Sequence, residues 1–232
     1  NISNLKEKFD LCFHLAAKTL VQESFQQVEE YFSCNVTGTL NVVKWASKNN
    51  IKLIYAGSAS RHNNPSSSPY SLTKFLGEEI CKLYKLNFNL NVEIARFYNV
   101  YGPLEKIDKI NSNVIGIWRS RIKEGLPLQI VGDGKQTRDF IHVCDIVDGL
   151  IKIAESNTET IDAWELGSGH QYSINKLYSY FKKRFPDIKS EMVNDQPGNF
   201  RRSLRINDEL TRKLNWIPKD RLENYNIDSF II

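Results

Sequence analysis

The sequence predicts an α/β fold, a Rossmann-like doubly wound parallel sheet joined to a smaller α+β region, and three observations predict it. Short apolar, β-rich runs at residues 9–14, 51–56 and 92–98 alternate with helical patterns, the rhythm of βαβ units. The run Ile51-Lys52-Leu53-Ile54-Tyr55-Ala56 is nearly continuous in apolar residues and closed by Gly57, as expected of a parallel strand covered on both faces. After Pro103 the strands become shorter and the order mixed, which marks a second region.

The first clear element is the strand Phe9-Asp10-Leu11-Cys12-Phe13-His14, ending in Leu15-Ala16-Ala17, whose small residues allow close approach. A helical region follows over residues 21–49, with apolar positions Phe25, Val28, Tyr31, Phe32, Leu40, Val43 and Trp45. The strand at 51–56 leads through Ser58 to a helix from Pro69 to about Lys85, Pro being favoured at a first helical position. The strand at 92–98 is closed by Asn99-Val100-Tyr101-Gly102-Pro103. Beyond it the pattern predicts a helix at 113–124 and short strands at 128–131 and 139–143. These flank the turn Gly132-Asp133-Gly134-Lys135-Gln136-Thr137-Arg138. A helix at 145–155, a strand at 163–167, a helix at 173–185 and a last helix capped by Asn207 complete the reading. Residues 1–103 are expected to form the parallel-sheet region and residues 104–232 mainly the smaller α+β region, with some segments returning to the sheet.

The chemistry centres on Ser58 and on Tyr70-Ser71-Leu72-Thr73-Lys74. Ser58 stands at the carboxyl end of a strand, where open α/β sheets keep their ligands. Tyr70 and Lys74, four apart, project from one helix face. A tyrosine hydroxyl, with an ordinary pKa of about 10, becomes a working base when an ammonium group stabilises its phenolate. A serine beside it shares and positions the proton. The set reads as a proton shuttle for oxidising a sugar or alcohol hydroxyl, which requires a hydride acceptor. The same Tyr-x-x-x-Lys spacing at Tyr172/Lys176 and Tyr178/Lys182 follows no strand ending in serine and reads as helix surface.

The composition is globular: 41% of residues are hydrophobic and 25% charged, and the net charge of +4 is spread along the chain, which gives no nucleic-acid footprint. No apolar run approaches the roughly 20 residues of a membrane span. Cys12, Cys34, Cys81 and Cys144 are scattered without metal-binding pairs, so reduced thiols, a cytoplasmic location and no metal are expected. The only methionine is Met192, and a core strand comes first. The chain is therefore expected to be the remainder of a longer one.

These motifs resemble the extended short-chain dehydrogenase/reductase family, the nucleotide-sugar epimerases and dehydratases, and within it the UDP-glucose 4-epimerases. The resemblance is carried by Phe13-His14-Leu15-Ala16-Ala17, Asn35-Val36-Thr37-Gly38-Thr39-Leu40, Ser58, Tyr70-Ser71-Leu72-Thr73-Lys74, Arg96-Phe97-Tyr98-Asn99-Val100-Tyr101-Gly102-Pro103 and Gly132-Asp133-Gly134 with Thr137-Arg138-Asp139-Phe140-Ile141-His142-Val143. It runs in order over nearly the whole chain, and it implies that residues 1–103 are the remainder of a Rossmann-type NAD-binding domain and residues 104–232 mainly a substrate-binding region. It implies that Ser58, Tyr70 and Lys74 are catalytic, with Lys74 also holding the nicotinamide ribose. Ala16, Ala17, Asn35, Phe97 and Tyr98 would line NAD, NADP remaining open. Asn99, Asn113 and Arg138 would face a nucleotide diphosphate, Arg138 supplying the charge that phosphate demands. The resemblance also implies a nucleotide-diphosphate sugar, a UDP-sugar first, as substrate. It implies a homodimer through two helices per subunit, near 21–49 and 70–86. Read without the family, Asn35 pins a helix turn, the alanines pack tightly, and Arg138 pairs with Asp139 at the surface. His14 and His142 read as strand-end or core histidines.

The departures narrow the reaction. No Gly-x-x-Gly-x-x-Gly phosphate turn occurs, and a chain without it is expected to hold cofactor poorly. The segment between Ser58 and Tyr70 is short, and Asn63-Asn64-Pro65-Ser66-Ser67-Ser68 reads as a flexible loop. Where the family often has Arg-Pro-Gly-Asp, this chain has Gln196-Pro197-Gly198-Asn199, leaving Arg201, Arg202 or Arg205 to compensate. Ser58 is followed by Ala59, Ser60 and Arg61 without a carboxylate, which argues against 4,6-dehydration. Epimerisation by transient oxidation is the leading reading. An NADP-dependent reductase or dehydratase and a non-catalytic nucleotide-sugar-binding relative are the alternatives.

Overall fold

A strand that must pair in parallel needs a crossover to reach its neighbour, and the first half of the chain supplies one after each strand. The structure, a computed structural model, describes residues 2, 5, 7–108, 112–160, 162–219, 222, 223 and 225; the outer ends of the two expected regions lie outside them. By internal packing the chain divides into two units. One holds Asn1–Phe97, Val147–Leu166 and Asn207–Trp216, the other Tyr98–Ile146, Gly167–Ile206 and Ile217–Ile232.

In the first unit, β1 (Leu11–His14), β2 (Lys52–Ser58), β3 (Val92–Phe97) and β7 (Trp164–Leu166) form one parallel sheet in the order β1-β2-β3-β7. β2 is buried from Leu53 to Ser58, which explains its unbroken apolar sequence. The expected helical region at 21–49 is in four pieces: α1 (Val21–Ser24), α2 (Val28–Tyr31), a π-helical turn (Phe32–Thr37) and α3 (Gly38–Lys48). The break has a cause. The buried Tyr31 hydroxyl shares its one proton between Leu20 O (2.7 Å) and Glu23 Oε2 (2.8 Å), tying the end of α2 to the residues of α1 and its N-cap. The widened π turn carries Asn35 to the backbone of Lys18, and such bulges cluster at functional sites. α4 (Pro69–Phe88) crosses from β2 to β3 and ends at Asn89 in the left-handed conformation, φ 50°. Val43, Ala46, Leu53, Tyr55, Cys81, Val92 and Ile94 form the shared core.

The second unit contains β4 (Asn99–Tyr101) parallel to β6 (Thr137–His142), which pairs antiparallel with β8 (Gln171–Ser173). β5 (Leu128–Val131) pairs in parallel with β9 (Ser190–Val193). The expected strand at 92–98 stops at Phe97, because Asn99–Tyr101 leaves its neighbours to pair with β6. Strands β8 and β9 are too short and polar to show period-2 patterning. Helices α5 (Val114–Lys123) and α7 (Ile174–Arg184) belong to this unit, α8 (Glu209–Leu214) and most of α6 (Val143–Glu155) to the first, and all four follow the expected helices closely. Asn207 accepts from Glu209 N (3.1 Å) just ahead of α8. In this unit's core the buried Trp118 meets Phe181 edge-on at 5.2 Å and donates to Gln129 O at 2.8 Å. No described helix is long and apolar enough to cross a membrane, and no described group of three or more His, Cys, Asp or Glu could hold a metal ion.

Gly77 lets α4 lie directly on β2: a Cβ there would fall 2.1 Å from the Tyr55 hydroxyl. Overpacking a core costs about 1–3 kcal/mol, more than the roughly 1 kcal/mol that alanine returns in helix propensity. Gly77→Ala is expected to lower the urea midpoint. Adding Tyr55→Phe, which removes the obstructing oxygen, is expected to recover part of the loss.

Candidate active site

Two short 3₁₀ turns carry the chain from the carboxyl end of β2 into α4. Ser58 is extended (φ −139°, ψ 137°) and caps the first of them, Ala59–His62, with its Oγ accepting from Ser60 N at 3.2 Å. The Ser60 hydroxyl donates to the same Oγ at 2.9 Å. The segment expected to be a flexible loop forms the second 3₁₀ turn, Pro65–Ser67, held by Asn64 Oδ1 accepting from Ser66 N at 3.0 Å. Ser68 then caps α4 by accepting from Ser71 N at 3.1 Å, with Pro69 at the first helical position. These caps place Tyr70 so that its hydroxyl donates to Ser58 Oγ at 3.2 Å.

One turn further on, Lys74 is buried, donates to Ala56 O at 2.6 Å and lies 4.6 Å above the Tyr55 ring. Burial lowers its pKa to about 8, against which Glu78 works most strongly. Burial also raises the Tyr70 phenol, while the Ser58 contact lowers it. In this geometry Lys74 Nζ donates to the Ala56 carbonyl rather than to the phenol. His14, pushed down to about 4 by burial and by the Lys74 charge, is neutral and meets Thr39 Oγ1 at 3.0 Å.

Around this centre, Ala16 is exposed and Ala17 half-buried just past β1. Asn35 is buried. Its Oδ1 accepts from Lys18 N (2.8 Å), and its Nδ2 donates to Lys18 O (2.9 Å) and Thr73 Oγ1 (3.1 Å). Its amide therefore pins the segment after β1 to α4. Phe97, half-buried, ends β3 in the first unit.

The remaining residues implied by the resemblance belong to the second unit. Tyr98 is buried, Asn99 donates to Asp139 O at 3.2 Å, and Asn113 is exposed and donates to Val100 O at 3.4 Å. Arg138 donates to Thr137 O (2.9 Å), Phe200 O (2.8 Å) and Asn199 Oδ1 (2.5 Å), and stacks on the Phe200 ring at 4.1 Å. Asp139 does not pair with it. Fully buried, the Asp139 carboxylate accepts from Ser168 N and Oγ, Gly169 N and Arg205 N. Of the compensating arginines, Arg201 forms a bidentate pair with Asp133, both contacts at 2.9 Å, and Arg202 is exposed.

Two groups beside Ser58 carry no motif of their own in the sequence. Ser60, a non-carboxylate in the turn, bonds Ser58 directly. Glu78 continues the Tyr70/Lys74 stripe by one more turn and accepts from Ser58 N at 3.2 Å. The signal for it was present: an arginine, Arg96, inside an apolar strand demands a buried carboxylate.

Because burial depresses Lys74 from 10.5 to about 8, the folded chain binds fewer protons than the unfolded chain between those values, and stability rises with pH through that window. Relative to Lys74→Met, the unsubstituted chain is expected to gain roughly 2–3 kcal/mol of unfolding free energy from pH 8 to pH 10.5. Urea transitions of both chains at the two pH values check this, and a constant difference would refute it.

Comparison with known proteins bears on this arrangement. The model of the NAD-dependent epimerase/dehydratase family matches residues 2–167. A putative UDP-glucose 4-epimerase of Methanocaldococcus jannaschii is 29% identical over 226 residues, covering 90% of this chain and 72% of that protein. A UDP-glucose 4-epimerase of Mycoplasma genitalium is 33% identical over 206 residues, covering 76% of this chain but only 61% of that protein. The crystal structure of a UDP-glucuronic acid 4-epimerase from Bacillus cereus, in complex with UDP-glucuronic acid and NAD, superposes with a TM-score of 0.87 at 25% identity. It covers 97% of this chain and 76% of that one. The parallel sheet, the Ser58–Tyr70 contact beside a buried Lys74 and the match over residues 2–167 lead to one conclusion: the chain belongs to the NAD-dependent epimerase/dehydratase family.

Proposed function

We propose that this chain acts as an NAD-dependent epimerase of a nucleotide-diphosphate sugar, a UDP-sugar by analogy with its relatives, in the cytoplasm. The observation that carries the proposal is the Tyr70 hydroxyl 3.2 Å from Ser58 Oγ, with Lys74 buried one turn along the same helix. NAD, when bound, supplies the hydride acceptor and later the hydride donor. The donor set fits its nicotinamide ribose: Lys74 is a buried ammonium group with one hydrogen bond to Ala56 O among the described residues, and an ammonium carries three donors. Ala16 and Ala17, with Phe97 and Tyr98, are the proposed lining. The Gly-rich turn that grips the pyrophosphate elsewhere in the family is absent from these 232 residues.

The chain's own groups then act in order. Tyr70 Oη takes the proton of the sugar hydroxyl, with Ser58 Oγ holding both oxygens in line. The charge on Lys74 favours the phenolate that this requires. Return of the proton from Tyr70 completes either stereochemical outcome, so the residues serve both faces of the ketone. Asn99, Asn113 and Arg138 are proposed to face the diphosphate. Arg138 suits this role because Asn199, where relatives often carry aspartate, bonds it without neutralising it. Residues of the first unit are proposed to bind the cofactor and residues of the second the substrate. The absence of a carboxylate at residues 59–61 supports epimerisation over dehydration.

Tyr70→Phe is expected to lower kcat for UDP-glucose/UDP-galactose interconversion by about 10²–10⁴-fold, with KM changed far less, in assays containing NAD. A 4-keto-6-deoxy product would favour the dehydratase reading, turnover only with NADPH the reductase, and sugar-nucleotide binding without turnover the non-catalytic relative. A homodimer through the helical regions at 21–49 and 70–86 is also proposed. Leu83 (51% exposed) and Leu86 (81% exposed) lie bare on α4. Sedimentation is expected to show a dimer that Leu83→Glu with Leu86→Glu weakens.

A further inference from the structure

Beneath the proposed catalytic serine lies a buried cluster of charges that the mechanism above does not use. Glu78 is fully buried on α4, four residues beyond Lys74 and eight beyond Tyr70. Its Oε1 accepts the Ser58 backbone N–H at 3.2 Å. Its Oε2 accepts both Nε (3.0 Å) and Nη2 (2.8 Å) of Arg96, a guanidinium 1% exposed on β3. The other fork of Arg96 reaches Glu165 Oε1 at 3.0 Å and Asp162 Oδ2 at 2.6 Å.

The turn after Ser58 is tied to the same cluster. Arg61 donates to Glu79 Oε1 at 2.8 Å and lies 3.5 Å from Glu78 Oε2, and His62 Nε2 is 3.0 Å from each oxygen of Glu165. Gly57 makes room for this: a Cβ there would stand 2.6 Å from Glu78 Oε1. A carboxylate is thus fixed by a buried cation on one oxygen and presents the other to the backbone of the proposed catalytic serine.

We infer that Glu78 is a positioning residue for Ser58. Clamped by Arg96, it fixes the Ser58 backbone so that the hydroxyl meets Tyr70. Glu78 also stands one helical turn beyond Lys74 and favours its charged form, while His14 and Tyr55 face the same ammonium and the nearby Cys81 thiol is held neutral by burial. The kinetic arm of the test rests on the proposed epimerase reading; the amide and lysine readouts do not.

Two variants separate geometry from charge. Glu78→Asp keeps the charge and withdraws the carboxylate by one methylene. Glu78→Gln keeps an acceptor for Ser58 N–H and removes the charge, leaving Arg96 paired with Glu165 and Asp162. In NMR spectra of the whole chain, Glu78→Asp is expected to shift the Ser58 amide and speed its exchange about 10-fold, and Glu78→Gln much less. Glu78→Gln is expected to lower the Lys74 titration midpoint further. In the active enzyme, Glu78→Asp is expected to reduce kcat about 10-fold or more at little-changed KM, with Glu78→Gln recovering part of it.

An unmoved Ser58 amide in Glu78→Asp, or equal kcat losses in both variants that track their folded fractions, would overturn the inference. If the amide and lysine respond but no turnover exists in any form, the positioning stands and the epimerase reading fails. Should both variants fail to fold, Gly57→Ala displaces the carboxylate instead and is held to the same amide result.

Discussion

The guanidinium of Arg96 sits where an isolated charge could not stay, since burying one without partners costs far more than a domain's net stability. Carboxylates from three places in the chain meet it: Glu78 on α4, Glu165 on β7 and Asp162 just ahead of β7. Removing one partner of such a cluster typically costs about 3–5 kcal/mol. The arrangement therefore ties strand β3 to the crossover helix and to a strand nearly seventy positions away, at the level of the sheet where Ser58 stands. Register, helix placement and the serine turn all answer to the same few hydrogen bonds.

From that anchor the local chemistry is built in short steps. Caps at Ser58, Asn64 and Ser68 turn the chain within eleven residues from the end of β2 into α4. The helix then presents Tyr70, Lys74 and Glu78 on one stripe, as residues four apart must be. Tyr70 meets Ser58, Lys74 lies under the sheet end against Tyr55, and Glu78 reaches the Ser58 backbone. Close approach is possible only because Gly57 and Gly77 carry no side chains.

The second unit solves a different problem, the placing of loops. Asp139 at the middle of β6 gathers the backbone of Ser168, Gly169 and Arg205 on one buried carboxylate. Its neighbour Arg138 is held against Phe200 and Asn199 by stacking and by carbonyl acceptors. Neighbours along one strand point to opposite faces, which is why adjacent opposite charges do not pair here. Asn199 in turn donates to Asp195 Oδ1 at 2.7 Å, so the neutral amide stands between arginine and carboxylate.

By itself the sequence determined the α/β class, the order of the principal strands and helices, and the placing of Ser58 at a strand end with Tyr70 and Lys74 on one helix face. Those features live in local periodicity, capping residues and fixed spacings along one segment. Tertiary structure decided what depends on contacts between distant segments. Tyr31 and Asn35 break the helical region at 21–49 because their partners, Leu20, Lys18 and Thr73, come together only in the folded chain. Strands β8 and β9 are defined by their pairing rather than by pattern. Glu78 and Ser60 acquire their places beside Ser58 only once α4 is laid on β2. Spacing along a chain specifies which side chains share a face, whereas a hydrogen bond across elements is specified only by the packing that brings two faces together.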